Sequence, residues 1–204
     1  MALVKYNNNS ISAVTSTALA EGSLVPIKTL TASGSASLSF VDGSNDVVLD
    51  STYPIYKFEF ININGSVNAS HFNFNFSTDG GSNYNVPKTS TYFNSSHNES
   101  DTSAVVSYNT GGDLANGTGD QNIYRGLGNA SDEHLCGHSF LFNPSSSVFV
   151  KHFLNQVQNT GSSYSAHGFT AGYGNTTSPI NAVIFKVNSG TFDGTIKLYG
   201  IKDS

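Results

Sequence analysis

Only 11% of the 204 residues are charged and the net charge is −5 with no basic run, which excludes the electrostatic footprint of a nucleic-acid-binding protein. A single cysteine, Cys136, excludes an internal disulfide framework, and no run approaches the roughly 18 apolar residues of a membrane-spanning helix. With 14 Phe, 10 Tyr and no Trp, burial must come mainly from phenyl rings, while hydroxyls and amides solvate the surface.

Residues 1–23 differ from the rest. Asn7-Asn8-Asn9-Ser10 breaks any regular element, Ile11 to Ala20 is rich in Ser, Thr and Ala, and Glu21-Gly22-Ser23 reads as a linker. Such a composition does not fold alone, so the segment is expected to be an arm that orders against a partner or a frayed terminus. The start lacks the apolar core of a secretory signal, which predicts synthesis in a cytoplasm.

From residue 24 onward, short strands with turn signals follow one another and no helical period intervenes. Leu24–Thr31 is a first strand, placed at an edge by Pro26. Ala36–Val41 is a second, and Val47–Leu49 a short third before the next loop. Tyr56–Ile63 puts Tyr56, Phe58 and Phe60 on one face, with Lys57 and Glu59 opposite. His71–Phe76 alternates Phe72, Phe74 and Phe76 with Asn73 and Asn75, the pattern of a half-buried strand with Phe inward and Asn outward. Tyr84–Phe93 is extended apart from Pro87, and Ala104–Tyr108 is short.

Residues 109–131 carry six glycines and no clear period. That length predicts a functional loop or one packed on a partner. Ser139–Phe142, Val148–Val157 and Ser165–Tyr173 are further strands. Pro179–Lys202 reads as a terminal β-hairpin: Val183, Phe185 and Val187 on one side of the turn, Ile196 and Leu198 on the other. About ten regularly spaced strands predict an all-β fold, an antiparallel β-sandwich of the jelly-roll kind over residues 24–204, with an extended N-terminal arm over residues 1–23.

The chemically densest stretch is Asp132 to His138. On an extended strand His134, Cys136 and His138 share a face, and imidazole and thiolate suit zinc. No second ligand pair accompanies them, so a polar loop entering a strand is the favoured reading. A Cys–His nucleophile from Cys136 with His138 or His152 lacks any local signature. Asp42–Asp46 and Asp79–Asn83 space oxygen ligands as some calcium loops do, but without a bidentate acid they read as β-turns. Tyr84, Tyr92, Tyr108, Tyr124, Tyr164 and Tyr173 are candidates for stacking on a glycan or a protein, weighed against finishing the core edge. Nine glycosylation sequons, among them those at Asn75 and Asn94, are read as by-products of the Asn/Ser/Thr-rich composition. No phosphate-binding glycine loop, GxSxG elbow or HExxH helix is present. No catalytic, cofactor-binding or metal-ligating residue is assigned.

Several segments resemble a group of small virion proteins of marine tailed bacteriophages, notably those infecting cyanobacteria and other abundant ocean bacteria. The segments are MALVKYNNNS (1–10), IKTLTASGSASLSF (27–40), LDSTYPIYKFEFINI (49–63), LFNPSSSVFVKHF (141–153), AGYGNTTSPINAVIFKVNSG (171–190) and GTIKLYGI (194–201). The likeness spans nearly the whole chain, with 95–137 matching less well. It implies a non-enzymatic component of a virion, made in the host bacterial cytoplasm. The expected role is a capsid decoration or short head fibre on the particle exterior, anchored by the arm. The alternative is a tail-fibre or receptor-binding module for a host surface glycan, with 94–131 as its recognition loops. Other virion proteins and further copies of the chain, in a trimer if the module is a fibre, are the expected partners; no cofactor is implied.

Overall fold

The computed structural model describes residues 24–202. The proposed anchoring arm, residues 1–23, lies outside the described residues. The described chain is all-β, with twelve strands and no helix. In chain order they are β1 (Leu24–Ser35), β2 (Ser37–Val41), β3 (Ile55–Gly65), β4 (Ser70–Ser77), β5 (Lys88–Asn98) and β6 (Ala104–Tyr108). There follow β7 (Gln121–Leu127), β8 (Leu135–Phe142), β9 (Lys151–Gly161), β10 (Tyr164–Gly174), β11 (Ala182–Val187) and β12 (Phe192–Ile201).

Two antiparallel sheets pack face to face. One has eight strands, ordered β1-β12-β3-β8-β9-β10-β5-β6; the other has four, ordered β2-β11-β4-β7. With the hairpins β5–β6 and β9–β10 set aside, successive strands alternate between the sheets except at β4 and β7, which are neighbours in the four-stranded one. The remaining orders, β1-β12-β3-β8 and β2-β11-β4-β7, are those of an eight-stranded jelly roll. The two hairpins pair with each other through β10 and β5, in register from Tyr164↔Asn98 to Gly174↔Lys88. They double the width of one sheet while the other stays at four strands.

The alternation of Phe with polar residues explains the closure. Phe185 on β11 lies at the centre of a ring cluster, with centroids 5.0 Å from Phe58, 5.3 Å from Phe60 and 6.1 Å from both Phe40 and Phe72. These rings are fully buried and join the two sheets by mostly edge-to-face contacts, the geometry favoured by the aromatic quadrupole. Under the added hairpins the interior changes character. There Ser90, Gln121, Asn155, Asn159 and Thr170 are buried, with Ser90 Oγ donating to Gln121 Oε1 at 2.6 Å and Thr170 Oγ1 to the Asn122 carbonyl at 3.0 Å.

Four expectations are corrected. The terminal pair is not a hairpin: β11 lies in the four-stranded sheet between β2 and β4, and β12 in the eight-stranded sheet between β1 and β3. Their apolar faces meet across the sandwich rather than side by side, and period-two alternation is the same in both arrangements. Asn73 and Asn75 are not on a solvated face, since Asn75 is 1% exposed. Residues 109–120 fold over them, so that Asn75 Nδ2 donates to the Thr118 carbonyl at 3.2 Å and to Asp120 Oδ1 at 3.0 Å. Finally, residues 109–131 are not one long loop: β7 occupies 121–127, hidden from a periodicity reading by buried Gln121 and by two register shifts in its pairing with β4. Val47 and Leu49 are buried but lie in no strand. The edge position given to the first strand by Pro26 holds, as does the split of Tyr56, Phe58 and Phe60 from Lys57 and Glu59.

Candidate interaction surface

Alternation that buries one set of side chains on the wide sheet must display the other. The inward set of β9 is Lys151, Phe153, Asn155, Val157 and Asn159, so His152, Leu154, Gln156 and Gln158 point away from the core. The registers carry this outward set across neighbouring strands. Leu154 lies opposite Phe140 on β8 and Ala171 on β10; Gln156 lies opposite His138 and Phe169; Phe169 lies opposite Phe93 on β5, and Phe93 opposite Tyr108 on β6. The Gln156 row therefore crosses all five strands, and the Leu154 row four.

The outward positions of β8, β9, β10, β5 and β6 include no Asp, Glu, Lys or Arg. They do include three exposed apolar residues: Phe93 at 41%, Leu154 at 40% and Val106 at 77%. Phe93 and Phe169 stack at 4.9 Å with their planes 14° apart, and His167 sits 4.2 Å from Phe169. This stack forms a ridge between two shallow hollows. One, of about 370 Å³, lies between His152, Tyr173, Thr89 and Ala171; the other, of about 340 Å³, between His97, Val106, Ser165 and His167. Charges appear at the borders: Asp101 Oδ1 lies 3.0 Å from His97 Nε2, Asp113 accepts from Tyr108, and on the β3 flank Lys57 Nζ donates to Glu59 Oε1 at 2.7 Å. That contact, with the lysine hydrogen bond as its largest part, holds the Glu59 carboxyl below its ordinary pKa.

The Asp132–His138 stretch borders this face. Cys136 and His138 are outward residues of β8, while His134 precedes the strand, with its Nδ1 3.3 Å from the Asp132 carbonyl. Cys136 Sγ is engaged by Asn62, whose backbone N–H lies 3.3 Å away. Burial, aided by the Lys57 charge, pushes the His138 pKa down. Among the described residues no three of His, Cys, Asp and Glu group as metal ligands would. Cys136 pairs with Gln158, six residues along β9 from His152, so those two side chains are roughly 20 Å apart and form no dyad.

The acidic loops are turns in which Asp42 and Asp79 are engaged within the loop and Asp46 is exposed beside Lys28. Asp42 Oδ1 accepts from the Leu49 N–H at 2.8 Å. Asp79 accepts from Ser77 Oγ at 2.6 Å and from the Asn83 N–H at 2.8 Å, which lowers its pKa to about 2. Of the tyrosines, Tyr92 and Tyr124 are core residues, whereas Tyr108 is exposed and donates to Asp113 at 2.5 Å.

A further concavity, of about 410 Å³, opens at one pole of the sandwich, where residues 68–69, 126–133 and 161–164 converge. Tyr164, Glu133, Asn129 and Asn68 line it. Glu133 is held from behind, its Oε2 accepting from the Ala130 N–H at 3.1 Å and its carbonyl accepting from Asn64 Nδ2.

Sequence reasoning named the tyrosines and the His–Cys cluster but did not find the aromatic face. The signal lay in the second phase of the alternation on β9 and β10, the phase not used to build the core. Comparison with known proteins finds no matching family model, no matching curated protein and no matching solved structure.

Proposed function

We propose that the chain is a non-enzymatic virion structural protein of a bacteriophage, displayed on the particle exterior as a capsid decoration or short head fibre. The observation that carries this reading is the outer face of β8, β9, β10, β5 and β6, whose outward positions carry no Asp, Glu, Lys or Arg, a surface suited to lateral packing rather than to turnover of a substrate. The jelly-roll framework, with both sheets closed over a phenyl core, supplies a rigid block for such packing. The resemblance of the segments quoted above to small virion proteins agrees with it, and residues 1–23 would serve as the anchor. Mass spectrometry of density-purified particles tests the proposal. The chain is expected in them at a fixed stoichiometry to the major shell protein, and its absence would overturn the reading.

The polar hollow at the pole favours a second reading, a receptor-binding module for a host glycan. An aromatic ring beside two amides and a carboxylate is a common chemistry for holding sugar hydroxyls. Deletion of the gene would then abolish adsorption to the host, and unchanged adsorption would count against it.

A further inference from the structure

We infer that the outer face of β8, β9, β10, β5 and β6 packs against a second copy of this chain. Three observations select that occupant.

The first is charge. The face has no permanent charge to attract a polyanion, an acidic glycan or a strongly charged protein, because its outward positions carry no Asp, Glu, Lys or Arg. The chain as a whole is acidic, at −5, so like molecules approach best where neither presents charge. The second is area. Five strands at about 4.8 Å spacing, with five outward residues on each of β5, β9 and β10, four on β8 and three on β6, give roughly 700 Å² in projection. Side-chain relief raises that toward the ~800 Å² per partner of a stable protein interface. The third is relief. The Phe93–Phe169 ridge stands between two hollows on the same face, so each copy offers both the projection and the recess that another copy needs.

The edge strand points the same way. β6 ends the sheet with Val105, Val106 and Tyr108 exposed and no Lys, Pro or acidic residue to blunt it. An unprotected edge beside an apolar face is what solitary proteins avoid. The inference does not depend on a place in a virion, and its test needs no particle.

The experiment is the mass of the purified full-length chain by sedimentation equilibrium over a wide concentration range. The wild type is expected at an integral multiple of its 21.6 kDa chain mass. Phe93→Thr combined with Phe169→Thr, which keeps strand-compatible residues, is expected to weaken association on the order of 100-fold. Phe149→Ser, in an exposed loop off the face, is expected to leave association unchanged. Should the double variant fail to fold, Leu154→Lys carries the same expectation, since its side chain lies outside the core. A wild-type chain of single mass at every concentration, or an oligomer that survives these face substitutions in folded protein, would overturn the inference.

Discussion

Phe185 shows how a single ring can hold two sheets. It touches rings from β2, β3 and β4, so its removal opens a cavity that no neighbour can fill without leaving its own rotamer. Phe185→Ala is predicted to cost about 3–5 kcal/mol, read as a fall in the denaturation midpoint at unchanged slope. Lys88 makes the opposite kind of residue-scale statement. Its ammonium is fully buried, donating to Asn75 Oδ1 at 2.6 Å and to the Val86 carbonyl at 2.8 Å, and burial lowers its pKa to about 8. Between that value and the ordinary pKa near 10.5 the unfolded chain binds the extra proton, so Lys88 makes the fold more stable as pH rises through this window. Relative to Lys88→Met, the wild type is predicted to gain about 2 kcal/mol between pH 7.5 and 9.5, measured by paired chemical denaturation. A constant difference between the two proteins would contradict the assignment.

At the scale of elements, the strands were largely legible and their partners were not. Phe72, Phe74 and Phe76 announce β4, and Tyr56, Phe58 and Phe60 announce β3, because large apolar residues at period two have only one economical use. The same period cannot distinguish a hairpin partner from a strand across the sandwich, which is why β11 and β12 read as neighbours although they belong to different sheets. It also cannot reveal what covers Asn75, since that cover comes from Lys88, Thr118 and Asp120, outside the strand. β8 was legible only from Ser139, because Gly137 interrupts its pattern. Gly137 lies where the β3–β8 register shifts, and a Cβ there would meet the Gln156 carbonyl oxygen at 2.3 Å. Gly137→Ala is therefore predicted to force β8 and β9 apart. The expected loss is about 1–3 kcal/mol, with faster amide exchange in β8 than in β4.

The whole molecule is an asymmetric sandwich. Two hairpins inserted into a jelly roll widen one sheet to eight strands, and β4 of the four-stranded sheet opposite is covered on its outer side at Asn75 by Lys88, Thr118 and Asp120. The outer face of β4 is thus covered by the chain itself, whereas the outward positions of β8, β9, β10, β5 and β6 on the wide sheet carry no Asp, Glu, Lys or Arg. The candidate site was illegible because it is a property of register: Phe93, Leu154 and Phe169 are far apart in sequence and meet only once β10 has paired with both β9 and β5. The account joins this face to a role as a repeated exterior component of a particle. The most direct test is a side-chain-resolution reconstruction of purified particles. It is predicted to show the chain outside the shell in clustered copies, with Phe93 and Phe169 buried against a neighbouring copy. Particles that lack the chain, or that carry it with this face open to solvent, would contradict the account.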